Sequence, residues 1–215
     1  MTRFGALFDL DGVLIDTEGK YTEFWDEISR IYPTGIDNYA LHIKGTTLEE
    51  IMKDFPDPEV RADILRRIRE FQDTMTYPLF PGVERFLTDL AANGIPAAIV
   101  TSSDNRKMNF LFKEHPSFRD HFEVVIDSSK VTLSKPDPQG YILAAEALGC
   151  DPKNCFVFED SIQGLKAGRA AGATVIGLAT TNPRSAVEPL ADHVIDGFTE
   201  FSVKDMMRVM DSRNQ

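Results

Sequence analysis

Apolar residues gather in short runs with little polar alternation: Ala6–Phe8, Ala97–Thr101, Glu123–Ile126, Cys155–Phe158, Thr174–Leu178 and His193–Ile195. Most are β-branched or aromatic, the pattern of strands buried on both faces. Between them, Val83–Asn93, Asn105–Lys113, Pro138–Leu148, Ile162–Ala171 and Arg184–Leu190 repeat apolar residues at helical spacing. Gly94, Gly149 and Gly172 each follow a helical pattern, as C-terminal caps do. Strand alternating with helix predicts an α/β fold, a doubly wound parallel sheet covered on both faces.

One interval breaks this alternation. From Thr17 to about Phe80 the chain carries helical segments and no convincing strand. Tyr21, Phe24, Trp25, Ile28 and Ile31 recur on one face of a helix over Thr17–Ile31, so these aromatics are expected in a core. Asp57-Pro58-Glu59 is a helix start, with Asp as cap and Pro in the first turn. Tyr77-Pro78 and Pro81-Gly82 then punctuate a return to the sheet. The division expected is a core of residues 1–16 and 81–215 with an all-helical insertion over 17–80, Asp16 lying at its exit as a hinge. Asp211–Gln215 read as a frayed tail.

Composition narrows the partners. A net charge of −11 over 215 residues, with no basic cluster to offset it, argues against nucleic acid. No run approaches the ~18 apolar residues of a membrane span, and no signal-peptide core precedes Asp9. Cys150 and Cys155 are too few for a disulfide framework and read as buried thiols in a reducing compartment. The expectation is a cytoplasmic protein, monomeric or weakly dimeric, with no membrane partner. His42, His115, His121 and His193 share no ligand spacing.

Ligands of open parallel sheets bind outside the carboxyl ends of the strands. The first strand ends at Asp9-Leu10-Asp11, just before Gly12. Side chains two apart in an extended chain point to one side, and two carboxylates so placed repel unless a cation holds them. A divalent metal, an anionic substrate or simply an acidic turn would each explain the pair. The second strand ends at Thr101-Ser102-Ser103, the third leads to Lys135 in Ser134-Lys135-Pro136-Asp137-Pro138, and the fourth ends at Glu159-Asp160-Ser161. Carboxylates, hydroxyls and a lysine thus collect at one sheet edge. Gly164, Gly168 and Gly172 read as close helix–sheet packing.

The ordered set FDLDGVLIDT, IVTSS, SKPDP and FVFEDSIQG resembles the haloacid dehalogenase superfamily over essentially the whole chain. The branch it resembles contains β-phosphoglucomutase and small sugar-phosphate phosphatases, with a Rossmann-like core and an inserted helical cap. The resemblance implies an Mg2+-dependent phosphatase acting on a small phosphorylated metabolite, with Asp9 as nucleophile and Asp11 as general acid and base. It further implies Thr101 and Lys135 on the phosphoryl group, and Asp9, Asp11 (through its carbonyl), Asp160 and Glu159 around the magnesium, Glu159 directly or by orienting its neighbours. Ser102, Ser103, Tyr21 and Lys44 are candidates for substrate binding, with Lys20 and Thr46 nearby in the cap. Resembling mutases carry a histidine where Tyr21 stands and an arginine where Leu48 stands, so hydrolysis is expected over phosphosugar isomerisation.

Overall fold

A computed structural model of the chain, describing residues 3–213, contains one six-stranded parallel sheet. Its strands are β1 (Gly5–Phe8), β2 (Ala97–Val100), β3 (Val124–Ile126), β4 (Cys155–Glu159), β5 (Thr174–Leu178) and β6 (His193–Ile195), in the spatial order β3-β2-β1-β4-β5-β6. All pairings are parallel, and β1 lies between β2 and β4 in register Phe8 with Ile99 and Phe158. Every residue of β1, β2, β4 and β5 is buried, whereas the edge strands β3 and β6 are only partly so. The unalternating apolar runs in the sequence have this cause: the central strands meet helices on both faces.

The helices are α1 (Glu18–Ile31), α2 (Tyr39–His42), α3 (Leu48–Ile51), α4 (Pro58–Thr74), α5 (Val83–Ala92), α6 (Asn105–Glu114), α7 (Gln139–Ala147), α8 (Ile162–Ala170), α9 (Arg184–Val187) and α10 (Val203–Arg213). Along β1, Ala6 and Phe8 join a cluster with Phe86 of α5, Leu111 of α6 and Met206 of α10. Leu7 points the other way, into a cluster with Tyr141 of α7, Leu165 of α8 and Val187 of α9. Strand period two therefore divides the core into two layers. Among the described residues no helix is long and apolar enough to cross a membrane.

Helices α1 to α4 hold a third cluster of their own, built on Trp25, Ile28, Tyr39, Phe55, Ile64 and Ile68. The segment leaves and re-enters the sheet region at one place. Asp16 N donates to Pro78 O at 2.8 Å, Phe80 N donates to Leu14 O at 3.0 Å, and Ile15 bridges Leu79 antiparallel. Asp57 caps α4 through its side chain, as its spacing from Pro58 predicts.

Three expectations need correction. Ile31 is exposed, because the inward stripe of α1 continues at i+4 from Ile28 to Tyr32, which packs on the third cluster and donates its hydroxyl to Asp63. Asp211–Arg213 are not a tail but the last turn of α10; Val203, Met206 and Met210 form a thin buried stripe in an otherwise polar helix. Gln215 and Asn214 lie outside the described residues. Gly172, expected both as a C-terminal cap and as close packing, caps α8 at φ +84° but has open space around it, so only the packing expectation fails; a Cβ at Gly168 would sit 2.9 Å from Val157 Cγ1.

Phe8 and Phe158 stack at 4.5 Å in the middle of the sheet, with Phe86 edge-on to Phe158 at 5.5 Å. Both stacked rings are fully buried. Phe158→Ala is therefore expected to lower unfolding stability by about 3–5 kcal/mol, measured by urea denaturation with the slope unchanged. A loss below ~1 kcal/mol would contradict this packing.

Candidate active site

Beyond Phe8 the backbone stays in the ladder for one more bond, Asp9 N to Phe158 O at 3.0 Å. It then coils tightly: Leu14 N donates to Leu10 O and Gly12 N to Ile15 O. Gly12 sits at φ +77°, and a Cβ there would lie 2.1 Å from Asp160 Oδ2. Glycine is thus required twice, for the turn and for the close approach of a carboxylate from β4.

The turn aims Asp9 at Lys135. Lys135 Nζ lies 2.5 Å from Asp9 Oδ1, 2.5 Å from Glu159 Oε1 and 3.3 Å from Val100 O, and the residue is 7% exposed. Glu159 is fully enclosed. Tyr141 OH also donates to its Oε1 at 3.0 Å, and Ser161 donates to its Oε2 from N at 2.9 Å and from Oγ at 3.0 Å. Gly164, in the first turn of α8, makes room for it: a Cβ there would fall 1.6 Å from Glu159 Oε1.

Asp160 differs. Its Oδ1 is buried and has no hydrogen-bond partner. Carboxylate oxygens of Asp9, Glu159 and Asp160 lie within 4.8 Å of one another. Burial, with Glu159 adding to it against the pull of Lys135, pushes Asp9 well above the usual carboxylate range. Burial, then Glu159, Glu18 and Asp9, does the same to Asp160. One lysine therefore faces three carboxylates, and the cluster is short of positive charge. An orphaned carboxylate oxygen beside Asp9 fits a hard, oxygen-seeking divalent cation such as Mg2+. Both Glu159 oxygens already accept hydrogen bonds, one from Lys135 and Tyr141 and the other from Ser161, so Glu159 orients Lys135.

Asp11 belongs to a separate network. Its Oδ1 accepts from Thr17 Oγ1 and Lys107 Nζ, and its Oδ2 accepts from Ser103 Oγ at 3.1 Å. Lys107 is 2% exposed and also lies 4.2 Å from the centre of the Tyr21 ring. Burial alone would depress the Lys107 ammonium, but Asp11 and then Tyr21 hold it above its ordinary value. The two carboxylates that the sequence places side by side are thus served by different lysines.

Between this edge of the sheet and the inserted helices lies a cavity of about 120 Å³. Asp9, Asp11, Thr101, Ser102 and Ser103 line it from the sheet side; Tyr21, Lys44 and Thr46 line it from the helices. Lys135, Glu159 and Asp160 stand behind Asp9. Lys44 is paired with Glu18 at 2.6 Å, and burial raises Glu18 above its ordinary value. Ser102 Oγ donates to Gly45 O at 2.8 Å, and the Thr47 and Ser134 hydroxyls meet at 2.8 Å, joining the insertion to the sheet domain over the cavity. Thr101 Oγ1 accepts from Ser103 N at 3.0 Å. Lys20 does not reach the cavity; it is exposed and donates to Thr76 Oγ1.

Sequence reasoning missed Lys107, Thr17 and Tyr141. Lys107 stands four residues before the buried Leu111 and beside Met108, so a charge on the inward face of α6 was the available signal. A wider groove of about 830 Å³ runs between β6 and α10, but its arginines are spent on Asp196, Asp205 and Asp192 at the surface. The chemistry is concentrated in the smaller cavity.

The chain is similar to known proteins. The bifunctional riboflavin kinase/FMN phosphatase of Arabidopsis thaliana is 29% identical over 224 residues, 93% of this chain and 54% of that protein, so the chain spans about half its length. Hexitol phosphatase A of Escherichia coli (strain K12) is 32% identical over 180 residues, covering 81% of this chain and 82% of that one. The crystal structure of β-phosphoglucomutase from Clostridium difficile superimposes with a TM-score of 0.82 over 99% of both chains at 22% identity, a likeness of fold. The family model described as haloacid dehalogenase-like hydrolase matches residues 5–172. With that match spanning β1 to the end of α8, and with the motif residues gathered at one sheet edge, this chain belongs to the haloacid dehalogenase-like hydrolases.

Proposed function

We propose that the protein is an Mg2+-dependent phosphatase that hydrolyses a small sugar or polyol phosphate through a phosphoryl group carried on Asp9. The observation that carries this reading is the division of labour between the two carboxylates. Asp9 is held by Lys135 beside the unsatisfied Asp160, and Asp11 is held apart from them by Thr17, Ser103 and Lys107. The named phosphatase relatives support the same reaction class.

In the proposed cycle one oxygen of Asp9 stays on Lys135 and the other attacks phosphorus. A carboxylate needs no base for this step. Thr101 Oγ1 and backbone N–H groups around Leu10, Asp11 and Ser102 bind the phosphoryl oxygens. As the P–O bond to the substrate breaks, Asp11 gives its proton to the departing alkoxide. Water then attacks phosphorus as Asp11 takes one of its protons, and as this new P–O bond forms the P–O bond to Asp9 breaks, releasing inorganic phosphate and the Asp9 carboxylate. Asp9 and Asp160, with the Asp11 carbonyl, would hold Mg2+, which supplies charge neutralisation for the phosphoryl group. Helices α1 to α4 act as a cap that closes the cavity and keeps bulk water out.

Water is the favoured acceptor because Tyr21 and Leu48 line the cavity where resembling mutases carry a histidine and an arginine, and Lys44, the basic residue the cap brings there, is already paired with Glu18. Cys150 and Cys155 are buried and unbridged, which fits a reducing, cytoplasmic setting.

A panel of phosphorylated metabolites with Mg2+, scored separately for free phosphate and isomerised product, is expected to yield phosphate. Asp9→Asn or chelation of the metal should abolish turnover; activity surviving either would reject the mechanism. The charge-deficient cluster generates a second expectation. Without metal, Asp160→Asn should raise the melting temperature by relieving repulsion, and it should erase the rise that Mg2+ gives the wild type by mass action. A lower metal-free melting temperature, or an unchanged Mg2+ response, would contradict this reading of Asp160.

A further inference from the structure

Lys107 is the buried charge that the motifs do not account for. It comes from α6, outside the strand-end segments, yet its ammonium is enclosed between two elements that belong to different parts of the fold. On one side is Asp11 Oδ1, in the turn after β1. On the other is the ring of Tyr21, on the first helix of the insertion, 4.2 Å from Nζ. Tyr21 is itself fixed from behind by Gln72 of α4, whose Nε2 donates to its hydroxyl at 3.4 Å, and by edge-on contact with Phe71. Thr17, whose hydroxyl donates to the same Asp11 oxygen, is the residue before α1 and makes no side-chain cap bond to that helix.

A buried ion pair is weak evidence of stabilisation, since well-packed apolar residues of similar volume often do as well or better. An ammonium also gains most from an aromatic face when water is excluded. We infer that Lys107 is a positioning residue: by bonding Asp11 while packed under the Tyr21 ring, it fixes the Asp11 carboxyl for proton delivery to the leaving group only when the helical insertion is docked. Seating of the insertion and placement of the acid are thereby one event. This inference rests on the phosphatase reading and assigns within it a residue that neither contacts phosphate nor needs the metal.

The test compares kcat/KM for an aryl and an alkyl phosphate, because this ratio covers the steps up to departure of the leaving group. p-Nitrophenolate leaves without a proton, whereas an alkoxide such as that of glycerol phosphate needs one. Lys107→Met should cost the alkyl substrate about 10²-fold or more, within the range of general acid catalysis, and the aryl substrate less than about 10-fold. Tyr21→Leu should give the same split at smaller amplitude. It also carries the test with Lys107→Gln should the methionine variant fail to fold, which thermal melting will reveal. Equal losses on both substrates, or no loss on the alkyl one, would overturn the inference. Asp9-dependent hydrolysis of the aryl phosphate by the wild type tests the phosphatase reading by itself, so the two can fail separately.

Discussion

The bond on which the site depends is the bridge that Lys135 makes between Asp9 and Glu159. Three segments distant in sequence must converge for it to form: the end of β1, the loop after β3 and the last residue of β4. The strand order delivers two of them, because β1 and β4 are neighbours and Asp9 N still bonds Phe158 O. Tyr141, Ser161 and the missing side chain of Gly164 then fix Glu159 from behind, so that the lysine has one place to go. Removing one member of a buried pair leaves an uncompensated charge, at a cost of roughly 3–5 kcal/mol. The same bridge leaves the cluster negative overall, and this deficit makes Asp160 a metal ligand in the proposed mechanism.

Two carboxylates two residues apart in sequence need not share a fate. The tight turn at Gly12 lets Asp9 face β4 and Asp11 face β2 and the insertion. Each then acquires its own lysine, buried in both cases. In the proposed mechanism this separation, in a low-dielectric site, is what would allow one carboxylate to serve as nucleophile while its neighbour moves protons. Of the two carboxylate networks, the helical insertion joins the second only. Thr17 and Tyr21 reach Asp11 and its lysine, whereas nothing from the insertion bonds Asp9 among the described residues.

Much of this was legible in the sequence because strands buried on both faces carry a strong compositional mark. β5 and β6 have the bounds read from their apolar runs, and the residues at the ends of β1, β2 and β4 are those that line or back the cavity. The insertion was legible for a complementary reason: a long interval with helical spacing and no strand. What escaped was whatever depends on the side of an element. Lys107 reads as an ordinary helix lysine until α6 is docked on the sheet. Tyr32 displaces Ile31 because a helix stripe drifts and the choice between i+3 and i+4 is made by packing. Lys20 and Tyr21 are adjacent in sequence, and one turns to Thr76 while the other turns to the cavity. In α10 the buried stripe is only three residues wide, too thin to stand out against its polar surroundings.

The central claim is that phosphorus is attacked twice, first by Asp9 and then by water. The stereochemical course at phosphorus tests this most directly, since it does not depend on how long the phosphorylated Asp9 survives. With a thiophosphate ester whose phosphorus carries sulfur and two oxygen isotopes, hydrolysed in water enriched in the third so that the inorganic thiophosphate released is itself chiral, two in-line displacements predict overall retention. Net inversion would mean that water attacks the substrate directly, and Asp9 would lose its role as nucleophile.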